Sequence, residues 1–380
     1  MKIALVCDDL IQWGGAERVV MAVSEVWKDA PIYTSVASEK WQKKCKDRNI
    51  DLRTSFLQKF PFASKLNRFY APFFLHTLAF QSFDFSEYDL VLSLSSRFAH
   101  HIIVKPSTKH VCYMHSPGRM FWESKDYFEK EFEGGLKFLK TLALDFLLVP
   151  LTKLRIVDYI FAKKIDRVVC NSKTTMKRVR KYFGIKADLI YPFPDNNLNS
   201  SNVSLYEHKS QSESDYFLVI TRLISWKKVD LAIKACVKAG RKLKIIGDGP
   251  DKSRLKIIAE KLGCDVEFLG YRDDAEKFEE LRNCLAVINT QYEDFGMVPL
   301  EAMSCGKPVI AFGKGGALET IIPGVTGEFF DEQTPESLLS KIENFDRDKY
   351  NAQDCINRAE EFSKEKFQQR IKKYIDDVYL

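Results

Sequence analysis

The sequence predicts two doubly wound α/β domains in tandem, and three observations carry that prediction. Short apolar runs alternate with helical patterns, a polar stretch near the middle interrupts the alternation, and the same alternation restarts behind it. At 380 residues the chain is too long for one ordinary core. Hydrophobic residues at 45% and charged residues at 29% give the balance of a globular protein rather than a disordered one.

The first run, "KIALVC", is a short β-branched strand, followed by the turn-like "DDLIQWGG" and the helical "AERVVMAVSEVW". Strand, glycine loop and helix open a doubly wound domain, and "DLVLSLS", "KHVCYMH" and "DRVVCNS" supply further strands with both faces covered. This first domain is expected to span 1–193. Residues 194–215, rich in Asn, Ser, Asp and Glu, form the linker, and its sequons at Asn199 and Asn202 would stay unmodified in a cytosolic chain. A second domain over 216–360 follows, with strands at "YFLVIT", "KLKIIGDG", "VEFLGY", "LAVINT" and "KPVIAF". The final segment, 361–380, is an amphipathic helix with Phe367, Ile371 and Tyr374 at helical spacing.

Nine cysteines without a Cys-x-x-Cys pair, several inside apolar runs, indicate reduced thiols and a cytoplasmic protein. The opening residues lack the ordered regions of a signal peptide. The apolar stretch from Leu136 to Ile156 is broken by Asp145, Pro150 and two lysines, so it is not expected to cross a membrane. A net charge of +6 is too small to argue for nucleic acid.

Ligands of doubly wound domains bind at the carboxyl ends of the strands, which selects four places. Gly14 and Gly15 precede the first helix, where backbone amides favour an anion; a structural turn accounts for them equally well. His115 follows a strand and can hydrogen-bond a ligand hydroxyl, or simply pack; Pro117, Arg119 and Trp122 beside it single it out from the other five histidines. Arg222 and Lys227, after "YFLVIT", suit a diphosphate, Arg as a fork and Lys as a point charge, although exposed cations are ordinarily solvated; Lys228 is taken as the solvated neighbour. Last, "QYEDFGMVPLEAMSCGK" sets Glu293 in a loop and Glu301 in the first turns of a helix, with the amides of Phe295, Gly296 and Met297 at its N-terminus. For Glu301 alone, helix stabilisation is the simpler account.

Taken together, "EDFGMVPLEAMSCGKPVIAFGKGGALETI" resembles the Glu-x7-Glu signature of retaining glycosyltransferase family 4, enzymes of the GT-B fold. The likeness extends in order through "GGAERVV", "YMHSPGRMFW", "VVCNS", "IYPFPD", "TRLISWKKVDLAI", "IIGDGP", "FLGY" and "GVTGEFF". It implies transfer of a hexose from a nucleotide diphosphate to an acceptor hydroxyl with retention. Glu293 would contact the donor hexose, with Arg222 and Lys227 neutralising the leaving diphosphate and His115 touching the sugar from the other domain. The implied donor-binding set adds Gly14, Gly15, Gly270, Tyr271, Asp294, Phe295, Gly296, Met297 and Val298, with Glu301 on the ribose. The C-terminal helix is expected to cross back to the first domain.

The resemblance implies no metal and no cofactor; Asp346 and Asp348, the one literal Asp-x-Asp pair, look like solvated surface. The motifs are most similar to mannosyltransferase-like enzymes of bacterial O-antigen, capsule and other surface-polysaccharide assembly. They imply GDP-mannose as donor, with a UDP-sugar as the alternative and a catalytically degenerate glycan-binding protein as the more distant one. Asp273 and Asp274 could meet guanine N–H groups, or be two solvated acids of a surface loop. The acceptor would be a saccharide or a lipid-linked saccharide. Phe56 to Phe80 mixes aromatics with Lys59, Lys65 and Arg68, which suits an anionic membrane face; the alternative is a helix pair whose aromatics form core.

Overall fold

The computed structural model describes residues 1–70, 73–123, 137–195, 215–263 and 265–379. Most of the expected linker, with both sequons, lies outside them. Contacts divide the chain into a first unit, Met1–Pro192 with Glu365–Leu380, and a second, Phe193–Lys364.

The first unit is built on a seven-stranded, wholly parallel sheet: β1 (Ile3–Cys7), β2 (Ile32–Thr34), β3 (Leu52–Thr54), β4 (Leu90–Ser95), β5 (Lys109–Met114), β6 (Arg167–Cys170) and β7 (Asp188–Leu189). Its order is β3-β2-β1-β4-β5-β6-β7, so the winding direction reverses between β1 and β4. The second unit carries β8 (Tyr216–Ile220), β9 (Lys242–Ile246), β10 (Val266–Gly270), β11 (Val287–Asn289), β12 (Val309–Phe312) and β13 (Gly327–Phe330). These are also all parallel, in the order β10-β9-β8-β11-β12-β13, with the reversal between β8 and β11.

Central strands are apolar on both faces because helices cover both. Val6, Val91 and Phe121 lie in one core of the first unit, and Cys112, Met114 and Val168 in another. Phe217, Ile233, Ile245, Ile288 and Ile310 fill the second unit's core. The four strands β2, β3, β7 and β13 are two to four residues long and went unread in the sequence.

The last helix, Lys364–Tyr379, packs within the first unit. Phe367, Ile371 and Ile375 are its buried residues, and Phe367 meets Tyr113 edge-on at 5.7 Å. Tyr374, expected in that apolar row, instead donates its hydroxyl to Asp188 at 2.6 Å. Leu136–Ile156 falls largely in a helix, Lys137–Ala162, with Pro150 inside it. Among the described residues no helix is long and apolar enough to cross a membrane. The eight described cysteines are all free thiols.

Candidate active site

In the second unit an ion pair stands at the point where the strand order reverses. Lys227 follows β8 and Glu293 follows β11, the two strands flanking that point. After β8 the chain turns through a short 3-10 segment, Ser225–Lys227, that brings Lys227 Nζ to 3.0 Å from Glu293 Oε1. Thr290 Oγ1 donates to the Lys227 carbonyl at 2.7 Å, which ties the turn to the end of β11. Both charged side chains are largely buried, 14% exposed for Lys227 and 17% for Glu293. An ammonium held in that geometry is positioned before any anion arrives, so little reorganisation opposes binding.

Two glycine positions make the Glu293 loop possible. Gly316 N donates to Glu293 O at 2.9 Å, and a Cβ on Gly316 would fall 2.2–2.4 Å from backbone atoms of Phe295. The second glycine cluster is therefore the surface against which the Glu293–Phe295 backbone lies, and no side chain fits there. Gly296 has φ +82, a left-handed value suited to glycine, and begins the helix Met297–Ser304. A Cβ at Gly296 would stand 3.1 Å from Glu293 Oε2, so its absence also makes room for the carboxylate. Pro299 sits in the first turn, where its missing N–H costs nothing, and Gly306 with φ +70 follows the helix end. Phe295, 3% exposed, anchors the loop against Phe362 at 5.8 Å. Asp294, Met297 and Val298 are half-buried around it.

Glu301 has a partner that went unread in the sequence. Its carboxylate accepts from Lys277 Nζ at 3.1 Å, and both side chains are at least nine-tenths buried. Lys277 comes from the helix Asp274–Asn283 and also reaches Asp274 at 3.3 Å. The suggested surface loop at Asp273 and Asp274 is corrected by the same helix: Asp273 is its N-cap in a capping box with Glu276, and Asp274 is its first residue. An aspartate committed to a cap leaves little for a base.

The remaining predicted residues of this unit are more dispersed. Arg222 is exposed, two residues past β8 and five before Lys227. Gly270 ends β10, its carbonyl accepting from Gly247 N at 2.8 Å, and Tyr271 beside it is 75% exposed. Lys228 is not a solvated bystander but the left-handed residue, φ +54, that closes the 3-10 turn and caps the helix Val229–Lys238. Asp346 also caps a short turn through Asp348 N.

In the first unit Gly14 caps the helix Gly15–Val26 and Gly15 begins it. His115 continues β5, with its N–H on the Ser95 carbonyl at 2.8 Å and its ring edge-on to Tyr113 at 5.2 Å. Its Nε2 is buried without a hydrogen-bond partner, and burial pushes its pKa down to about 4. A neutral imidazole with one unsatisfied nitrogen has hydrogen-bonding capacity in reserve. Asp8, just past β1, receives the four amides of Ser96, Arg97, Phe98 and Ala99 at 2.5–3.0 Å, which fixes the loop after β4.

Among the described residues, one group could in principle hold a metal: His100, His101 and Asp158. Both Nε2 atoms lie 3.1 Å from Asp158 Oδ1, and Trp122 donates to Oδ2 at 2.6 Å. Ser95 and Thr77 hydroxyls engage the other ring nitrogens. Burial acts to raise the Asp158 pKa, but the adjacent His100 and His101 rings overcome it and hold the carboxyl down at about 2. That is the pattern of a buried network tying the β4 loop to the long helix.

Comparison with known proteins follows the same division of the chain. Residues 13–195 match the family described as Glycosyltransferase Family 4, and residues 204–362 match Glycosyl transferases group 1. An uncharacterized glycosyltransferase of Methanocaldococcus jannaschii, MJ1178, is 30% identical over 179 residues, 47% of this chain and 48% of that protein. Human Alpha-1,3/1,6-mannosyltransferase ALG2 is 30% identical over 254 residues, 57% of this chain and 59% of that one. The chain thus spans about half the length of the curated relatives it matches. The crystal structure of Anabaena Alr3699/HepE in complex with UDP superposes over 99% of this chain and 100% of its own, with TM-score 0.70 and 20% identity, a likeness of fold. Both parallel-sheet units are thus matched in order, and the chain has the GT-B fold, with a domain that matches Glycosyltransferase Family 4 followed by one that matches Glycosyl transferases group 1.

Proposed function

We propose that the protein is a retaining glycosyltransferase that moves mannose from GDP-mannose to a hydroxyl of a saccharide or lipid-linked saccharide in glycan or polysaccharide assembly. The observation that carries this reading is the Lys227–Glu293 pair at the second unit's switch point, 3.0 Å apart. Glu293 accepts hydrogen bonds from hexose hydroxyls, and the amides of Gly296 and Met297 stand beside it. Lys227, with Arg222 nearby in sequence, neutralises the departing diphosphate, the term expected to dominate a reaction in which the leaving phosphate takes the acceptor proton. In the first unit His115 has a spare nitrogen for a ligand hydroxyl, and in the second Glu301 binds the ribose. No metal or cofactor is required.

Mannose is supported by relatives whose names state alpha-1,3/1,6-mannosyltransferase in mouse, human and yeast, at 29–30% identity. A UDP-sugar is the second reading, since it presents the same diphosphate and similar ring hydroxyls. Incubation with GDP-mannose, UDP-glucose, UDP-galactose and UDP-N-acetylglucosamine, with nucleotide release as readout, tests both. Release from none of them, with no thermal shift, contradicts the transferase reading and favours a degenerate glycan binder.

Peripheral contact with the cytoplasmic face of an anionic membrane belongs to the same proposal. Phe62 and Phe73 are 70% and 72% exposed, Phe60 and Leu66 are also exposed, and Lys59 and Lys65 lie beside them. No Asp or Glu occurs between Asp51 and Asp84. The core alternative accounts for Phe80, which is buried, but not for these four. Co-sedimentation with phosphatidylserine liposomes at low salt is expected, and its absence removes the membrane component.

A further inference from the structure

The first sheet also has a switch point, between β1 and β4, and the polar groups gathered there are not used above. Asp9, two residues past β1, forms an ion pair with Arg97, two residues past β4. Asn67 Nδ2 donates to the other Asp9 oxygen at 2.6 Å. The carboxamide oxygen of Asn67, a residue only 1% exposed, is buried with no hydrogen-bond partner, although its amide faces this charged group. His76 holds Asn67 from behind through its carbonyl at 3.1 Å, so the amide is placed by the fold rather than by chance.

Glu17 completes the group from the helix Gly15–Val26. It is 7% exposed, and Gln12 Nε2 reaches its Oε1 at 3.4 Å. Its Oε2 lies directly under Gly14: a Cβ there would stand 3.1 Å away. Gly14 has φ −154 and ψ −165, extended backbone that any residue adopts, so turn geometry does not call for glycine at this position. What the missing Cβ does provide is room beside the Glu17 carboxyl. A Glu in a first helical turn is stabilising by itself, but that account leaves Gly14 and the Asn67 oxygen unexplained.

We infer that this cluster is the acceptor subsite, with Glu17 accepting a hydrogen bond from a saccharide hydroxyl over Gly14 and the Asp9–Arg97 pair, with Asn67, completing the polar wall. The inference rests on the transferase reading and adds the residues that hold the acceptor. Buried carboxylates and amides arranged in this way favour a hydroxyl-rich ligand, which supplies both donors and acceptors, over an apolar one. Burial pushes the Glu17 carboxyl up to about 7, with Asp9 adding to the shift, as expected of a carboxyl that lacks full hydrogen-bond compensation.

Two measurements test it. Saturation-transfer NMR with octyl α-mannoside and octyl β-glucoside reads glycoside binding without any donor, and binding is expected to the wild type and to be lost in Glu17→Gln. Turnover with whichever nucleotide sugar responds is then followed against the bound glycoside. Glu17→Gln should raise its half-saturating concentration by about tenfold or more while donor hydrolysis and the thermal shift by donor stay unchanged. Gly14→Ala should weaken the glycoside as well, by covering the carboxyl. Binding of neither glycoside to the wild type, or equal affinity in Glu17→Gln, overturns the subsite. A wild type that binds glycoside but releases nucleotide from no donor would instead overturn the transferase reading.

Discussion

The two sheets put charge at the same topological point and treat it differently. In the second unit Lys227 and Glu293 face each other and stay partly exposed, the Glu293 loop packed against Gly316. In the first unit Asp9, Glu17 and Asn67 are sunk below the surface, and His76 beside Asn67 is buried. A partly exposed, preset ion pair suits an anionic ligand whose charge changes during reaction, whereas a sunken set of hydroxyl-matching groups suits a neutral sugar. One architecture thus supports two kinds of recognition, decided by how far each loop lets its charges reach.

The comparison can be broken most severely at Lys277 and Glu301, a buried ion pair of the second unit. Lys277→Met removes the ammonium beside the buried Glu301 carboxylate and is expected to lower stability by about 3–5 kcal/mol, measured by denaturant unfolding. Joint replacement, Lys277→Met with Glu301→Leu, should restore most of that loss. If the double variant is stable but no longer binds nucleotide, Glu301 has the ribose role as well as the structural one.

Next in size is Lys227→Ala, for which kcat should fall about 10²–10³-fold, with a smaller change in donor affinity. Glu293→Gln is expected to leave unfolding nearly unaltered while slowing transfer. A smaller effect on stability, about 1–3 kcal/mol, is expected for Gly316→Ala, because Phe295 must move to admit the new methyl. Its activity should fall by more than stability loss explains, since Glu293 moves with that backbone.

The smallest effect separates the units by pH. The five described histidines all lie in the first unit. Burial lowers the pKa of His76, His101, His110 and His115, the last two to about 3 and about 4. A histidine whose folded pKa is depressed favours the fold while neutral, so this stability is present above about pH 6.5 and is lost as pH falls toward 4. Glu17, with its carboxyl raised to about 7, acts in the opposite direction, one group against four. Hydrogen exchange should therefore show the first unit loosening on acidification over that window before the second does.

Much of this was legible in the sequence because parallel strands covered on both faces are written as apolar runs, and glycines and prolines mark their ends. Strand order was not, since short strands such as β2 and β13 carry too few residues to show a period. Glu293, Lys227 and the loop before Met297–Ser304 could be placed by their position after strands. Lys277 could not, because its pairing with Glu301 joins two helices and leaves no local signal, although the Asp273 to Glu276 capping box announces where its helix begins. Glu17 stood in plain view in "GGAERVV", but the glycines drew the reading toward phosphate. That Gly14 has ordinary extended geometry and overlies a carboxyl needs coordinates.

The central claim is that Lys227 and Glu293 act together on a nucleotide-sugar donor, and steady-state transfer from GDP-mannose by the wild type, Lys227→Ala and Glu293→Gln tests it most directly. The account predicts release of GDP by the wild type and a fall of about 10²-fold or more in kcat for each variant, with folding intact by circular dichroism. Full turnover in both variants would contradict it.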